Sequence, residues 1–144
     1  MHFWLDMLKG FTEKLYRQIV IYKTAIYSFY LSIASGMLIC GVNDKQSLDV
    51  ARQLCVEIGV KFQIQDDYLD AYGDPEMIGK IGTDIKDHKA SWLCIQALLL
   101  MTQEQRQTFE THYGLEDAKS EEIIKGIYHE LKLSERYDQL EDKS

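Results

Sequence analysis

The chain has 144 residues, a formal net charge of −7, 46% hydrophobic residues and a single proline. This length and composition suit one ordered domain with a real core and exclude a disordered chain. The acidic balance excludes the clustered basic surface of a nucleic-acid binder, so an anionic ligand would need local help from lysines.

The N-terminal stretch "MHFWLDMLKGF" lacks a basic leader, a long apolar run and a small-residue cleavage site, so no targeting signal is read there. Leu15, Ile19, Tyr22, Ile26, Phe29, Ile33 and Met37 recur three or four residues apart. That rhythm predicts one face of a long helix from about residue 12 to 41, ended by Gly41. Residues 24–42 carry no charge over 19 positions, long enough for a membrane span. Thr24, Ser28, Ser32, Ser35, Tyr27 and Tyr30 make the stretch polar, and Asp44 precedes Lys45 on its flank. A helix buried on most sides within a bundle fits better.

Asn43 or Asp44 can cap a second helix, in which Leu48, Ala51, Cys55, Ile58, Phe62, Gln65 and Leu69 keep the helical rhythm until "GDP" at 73–75 breaks it. Gly79 and Gly82 read as turn glycines. Thr83 and Asp84 are expected to cap a third helix running through "WLCIQALLLM". "TQEQ" at 102–105 spells a capping box for a fourth, closed by Gly114. "EDAKSEEIIKGIYHELK" gives a fifth, with Ile123 or Ile124, Ile127 and Leu131 facing inward, and residues 116–144 read as a solvated helix and tail. No segment alternates like a strand, so the class is all-α, a helical bundle of about five helices. Cys40, Cys55 and Cys94 match no disulfide or zinc spacing and read as reduced core cysteines of an intracellular protein.

The chemistry collects in "FQIQDDYLDAYGD", residues 62–74. On a 3.6-residue helix, Gly59, Gln63, Asp66 and Asp70 form one stripe with Asp67 at its edge, and the glycine leaves room where a ligand could approach. Carboxylate oxygens without histidine or thiolate suit Mg²⁺ shared with substrate phosphates. The next segment mixes Asp74, Asp84 and Asp87 with Lys80, Lys86 and Lys89. Carboxylates for a metal beside lysines for phosphate oxygens make a diphosphate site. Lys23, the only charge between Arg17 and Asp44, either snorkels to water or meets an anion. Each feature alone has a plainer reading: DDxxD is a common solvated helix face, and Trp4, Trp92 and the tyrosines pack cores. His2, His88, His112 and His129 lack metal-ligand spacing and read as surface or helix-end residues, with His88 a neighbour of the site.

Together, "YKTAIYSFYL" (22–31), "FQIQDDYLDAYGDP" (62–75) and "GKIGTDIKDHKASWL" (79–93) resemble the trans-isoprenyl diphosphate (polyprenyl) synthase family, and within it the farnesyl diphosphate synthases, from about Phe11 to Tyr137. The resemblance implies a bundle of the isoprenoid synthase type and a cytoplasmic, Mg²⁺-dependent prenyltransferase of isoprenoid biosynthesis, with Mn²⁺ as a substitute metal. Dimethylallyl or geranyl diphosphate would ionise and be attacked by isopentenyl diphosphate, and a proton would leave. By the same resemblance Asp66, Asp67, Asp70 and Asp84 are expected at the metal, Asp66 directly and Asp70 largely through water, with Asp84 and Lys89 in a second sphere. Lys23, Lys80 and Lys89 would serve the diphosphate. Thr24 and Gln63 would stand near the allylic cation, and Tyr27 along the prenyl tail.

The departures concern what is missing. The family's first aspartate-rich motif and isopentenyl diphosphate site have no counterpart before residue 66, and its basic C-terminal end is absent. Ser32 stands where the family usually has proline, and Lys61 where it has an aromatic. The expectation is therefore a single partial synthase domain over residues 1–144, the C-terminal half of a protein that is homodimeric in full. Alone it is expected to be inactive and to expose unpartnered apolar helix faces. The alternative is a non-catalytic binding or regulatory partner of a full-length synthase.

Overall fold

Residues 8–142 are described by a computed structural model, and every regular element among them is a helix. His2, Trp4 and most of the N-terminal stretch "MHFWLDMLKGF" lie outside the described residues. Two compact units are present: Glu13–Gln65, and Asp66–Ser144 together with Met1–Thr12.

In the first unit, α1 (Glu13–Val20) leads into a π-wound stretch (Ile21–Tyr30) and then α2 (Leu31–Ile39). The π winding is visible where the Leu31 N–H donates to the Ile26 carbonyl, five residues back. This corrects the expected regular helix and its face. Tyr16, Val20, Thr24 and Ala25 are buried, whereas Ile19, Tyr22 and Ile33 are exposed, because a stripe drawn at 3.6 residues drifts off the contact face of a wider turn. The expectation that residues 24–42 form a helix buried on most sides also fails, since α2 buries no residue. Among the described residues no helix is long and apolar enough to cross a membrane.

Gly41, at φ +83°, ends this run, and Asp44 accepts the Ser47 N–H at 2.9 Å ahead of α3 (Lys45–Tyr72). Within the first unit the helices meet closely. A Cβ on Gly59 would fall 2.5 Å from Ala25 Cα, so the glycine expected to make room for a ligand makes room for a helix backbone. Phe29 and Phe62 meet edge to face at 5.5 Å. Val50, Leu54, Ile58 and Phe62, one every fourth residue, remain half exposed as an apolar stripe on α3.

In the second unit Asp74 caps the short α4 (Pro75–Ile78), whose first residue is proline and whose end is Gly79 at φ +72°, the left-handed turn glycine expected there. The helix α5 (Trp92–Leu100) is capped by Ser91, not by Thr83 or Asp84. Those two are engaged elsewhere: the Thr83 hydroxyl donates to Asp87, and the Asp84 carboxylate receives Lys89. Six successive residues, Trp92–Ala97, are buried, as befits a helix surrounded by others. The capping box of Thr102 and Gln105 opens α6 (Gln103–His112), and Gly114 follows its end at φ +88°. Asp117 caps α7 (Ala118–Glu130), in which Ile124 and Ile127 are buried.

A further helix, α8 (Leu133–Asp142), buries Leu133 and Tyr137, and Tyr137 stacks on Tyr68 at 3.9 Å. Residues 116–142 thus contain two packed helices rather than a solvated helix and tail. Cys55 and Cys94 lie in the core as expected, but Cys40 is exposed at the end of α2.

Overpacking at the Ala25–Gly59 contact should be measurable. Gly59→Ala is expected to lower stability by about 1–3 kcal/mol in denaturant titration. Gly126→Ala, where an added Cβ meets nothing within 4 Å, should instead be neutral or stabilising by up to about 1 kcal/mol. Equal effects of the two substitutions would contradict the close approach at Gly59.

Candidate functional site

The last turns of α3 present Asp66, Asp67 and Asp70, and these three side chains meet three different fates. Asp67 is 1% exposed; its Oδ2 accepts the Trp92 N–H at 2.7 Å and its Oδ1 accepts from Lys89 Nζ at 3.0 Å. Trp92 opens α5, so the carboxylate satisfies an orphan donor at the positive end of that helix. Lys89 Nζ also donates to both carboxylate oxygens of Asp84, at 2.9 and 2.7 Å. All three ammonium protons therefore find carboxylate oxygens.

Burial alone would lower the Lys89 pKa, but Asp67 and Asp84 more than offset it and hold the ammonium above the usual lysine range. Asp84 shifts the other way for a carboxylate: burial pushes it up to about 6, although Lys89 pulls against that. The backbone repeats the pairing, since the Lys89 N–H donates to the Asp84 carbonyl at 3.0 Å.

Asp66, on the more open side of the helix, accepts from Lys80 Nζ at 2.6 Å, a bond that raises the Lys80 pKa. Asp70 receives the backbone N–H groups of Thr83 and Asp84 at 3.3 and 2.9 Å. Gly82 permits this approach, because a Cβ there would fall 1.8 Å from the Asp70 carbonyl oxygen. It serves close contact rather than a turn of positive φ.

The predicted site residues thus fall into two groups. Asp66, Asp67, Asp70, Lys80, Asp84 and Lys89 are brought together in the second unit. Lys23, Thr24 and Gln63 belong to the first, where the Thr24 hydroxyl donates to Gln63 Oε1 at 2.7 Å and Lys23 is exposed, as is Tyr27. The remaining charges serve elsewhere: Asp74 caps α4, Asp87 accepts from Thr83, and Lys86 pairs with Glu121 at 2.9 Å. His88 is buried, not on the surface, and sits at φ +52° against the rings of Phe11 and Tyr113. His112 Nδ1 lies 2.9 Å from the Ser120 hydroxyl.

One participant escaped the sequence reading. The buried Tyr113 hydroxyl donates to the Lys89 carbonyl at 2.5 Å. Only its position before Gly114 at a helix end marks it in sequence.

Among the described residues no three histidine, cysteine or acidic side chains converge as a metal cage. Mg²⁺ does not need one: it takes one or two carboxylates and keeps waters or phosphate oxygens for the rest. Asp66 and Asp70, one turn apart on partly exposed helix, offer that donor chemistry, Asp70 while also accepting the Thr83 and Asp84 N–H groups, whereas Asp67 is buried with its oxygens on the Lys89 ammonium and the Trp92 N–H.

The polyprenyl synthetase family model matches residues 4–131. The chain is 48% identical over 137 residues to the farnesyl pyrophosphate synthase of Bos taurus, covering 95% of this chain and 39% of that one. With the Saccharomyces cerevisiae farnesyl pyrophosphate synthase the identity is 46% over 135 residues, covering 94% and 38%. The solved T. brucei farnesyl pyrophosphate synthase superposes with a TM-score of 0.86 at 33% identity, covering 94% of this chain and 42% of that chain. The chain therefore spans about two fifths of the length of the relatives it matches. The fold is the helical isoprenoid synthase fold.

The Asp84 carboxyl should titrate near pH 6 by carbon-13 NMR, against an ordinary value of 3.8. Since the folded value lies above the unfolded one, the stabilisation tied to protonated Asp84 is full below the ordinary value and lost as pH rises through about 6. Lys89→Met removes a partner that favours the ionised form, so the midpoint should move higher still; a fall would refute the pairing.

Proposed function

From its membership of the polyprenyl synthetase family, to which this chain belongs, we propose that it carries the diphosphate-binding half of a prenyltransferase site. The reaction would condense an allylic diphosphate, dimethylallyl or geranyl, with isopentenyl diphosphate to form farnesyl diphosphate. The observation that carries this reading is the interleaving of carboxylates with lysines: Asp66 with Lys80, and Asp67 and Asp84 with Lys89. Four aspartates, counting Asp70, against two lysines leave a formal charge of −2. One divalent cation cancels that excess, which a solvated helix face would have no reason to concentrate.

In this reading Asp66 and Asp70 hold Mg²⁺, and Asp67 supports Lys89 from behind rather than binding metal. Bound Mg²⁺ supplies neutralisation of the charge that grows on the departing diphosphate. Lys80 would bind phosphate oxygens as a point charge, a role that the family resemblance gives to Lys23 as well, and Lys89 would lend its charge from the carboxylate pair that holds it. As the allylic carbon–oxygen bond breaks, positive charge develops on the prenyl fragment, and the Thr24 and Gln63 oxygens offer it partial negative charge without being nucleophiles. Electrons of the isopentenyl double bond form the new carbon–carbon bond, and loss of a proton completes the alkene.

A non-catalytic partner of a longer synthase is the second reading. The exposed stripe of Val50, Leu54, Ile58 and Phe62 favours it, because such a face suits a helical neighbour.

Calorimetry with inorganic diphosphate separates these from a ligand-free helical module. Binding that requires Mg²⁺, is lost in Asp66→Asn, and weakens about tenfold in Lys80→Met is expected for a site using charge-assisted phosphate contacts. Absence of Mg²⁺-dependent binding, or its persistence in Asp66→Asn, would overturn the reading. Product formed from geranyl and isopentenyl diphosphates by the chain alone would remove the non-catalytic alternative.

A further inference from the structure

The lysine at the centre of the aspartate cluster is aimed by its backbone, and that backbone is held from outside the cluster. The Lys89 carbonyl accepts two hydrogen bonds, from the Ser91 N–H at 2.8 Å and from the Tyr113 hydroxyl at 2.5 Å. Tyr113 is 4% exposed, its ring stacked on Phe109 at 4.6 Å, so the donor is fixed in place by the core. Its neighbour Gly114 holds the same loop a second time. The Gly114 N–H donates to the Ile85 carbonyl at 2.9 Å, and a Cβ on Gly114 would fall 2.5 Å from His88 Cδ2.

Between these two attachments sits His88 in the left-handed region at φ +52°, a conformation that costs a non-glycine residue and persists only when its surroundings over-determine it. The α6 corner supplies that determination. The Asp67 and Asp84 carboxylates fix where the Lys89 ammonium ends; where the side chain starts is held by the Asp84 carbonyl on the Lys89 N–H and, on the other side of the residue, by the donors to the Lys89 carbonyl.

We propose that Tyr113 is a positioning residue for the diphosphate site, acting through the Lys89 carbonyl to set the reach of the Lys89 ammonium. The proposal rests on the diphosphate reading of the site given above. Tyr113 touches neither metal nor phosphate; it holds the chain segment from which the ammonium projects.

The test compares the full chain with Tyr113→Phe and with Tyr128→Phe. Tyr128 lies in the same core, 1% exposed, with its hydroxyl beside that of Tyr113 but not on the Lys89 carbonyl, so its loss leaves both donors to that carbonyl in place. Three quantities are read: the nitrogen-15 signal of the Lys89 ammonium, the affinity for inorganic diphosphate with Mg²⁺, and Tm. In Tyr113→Phe the ammonium signal should shift and broaden, and the affinity should fall about tenfold, the scale of lost outer support at a metal site. Tyr128→Phe should leave both unchanged, whatever its Tm.

An unaltered ammonium signal and unaltered affinity in Tyr113→Phe would overturn the proposal, even with a lowered Tm. Should Tyr113→Phe not fold, 3-fluorotyrosine at position 113 keeps the ring and strengthens the hydroxyl donor; a displaced Lys89 signal supports the proposal and an unmoved one overturns it. If the unsubstituted chain binds no diphosphate with Mg²⁺, the functional reading falls, while the Lys89 signal still decides the positioning role.

Discussion

Everything in the second unit depends on keeping one ammonium charge inside it. Lys89 sits between Asp67, wholly buried, and Asp84, half-buried, with all three of its protons on carboxylate oxygens. Each ion costs several kcal/mol to desolvate, and only good geometry with additional hydrogen bonds offsets that cost. The additional bonds are present: Trp92 N–H on Asp67, Lys89 N–H on the Asp84 carbonyl, and Tyr113 on the Lys89 carbonyl. Through them the network ties the end of α3, the 83–91 loop, the start of α5 and the end of α6. Removing Lys89 would leave the Asp67 and Asp84 carboxylates without their shared cation, so the network behaves as a unit rather than as separable pairs.

A division of labour follows among aspartates that look equivalent. Asp67 points inward and is consumed by structure. Asp66 and Asp70 face the more open side, where Lys80 and the backbone of Thr83 and Asp84 approach them. A helix places neighbouring residues about 100° apart, so two adjacent aspartates at a core boundary necessarily meet different dielectrics.

Much of this was legible in the sequence because it depends on local chemistry. The capping box at Thr102, the turn glycine at Gly79, the end of α3 before Pro75 and the grouping of aspartates with Lys80 and Lys89 all follow from residue type and short spacing. What escaped depends on partners distant in the chain. Thr83 and Asp84 have the chemistry of helix caps, but long-range bonds to α3 and Lys89 claim that segment, leaving the cap to Ser91. Gly59 reads as open space until Ala25 is seen against it. Periodicity marked Ile19, Tyr22, Ile58 and Phe62 as apolar faces, yet it cannot say whether a face has a neighbour, and these remain exposed.

The π-wound stretch Ile21–Tyr30 gives the first unit an unusual sensitivity. It carries Lys23 and Thr24, and its turns close five residues back instead of four. Substitutions along it alter single side chains, whereas removing one residue would let the turn relax to ordinary α winding and rotate everything on one side of the cut relative to the other. The Thr24–Gln63 bond and the Ala25–Gly59 contact lie within that stretch's reach. In a lineage of such chains, this segment would tolerate drift in letters while resisting any change in count.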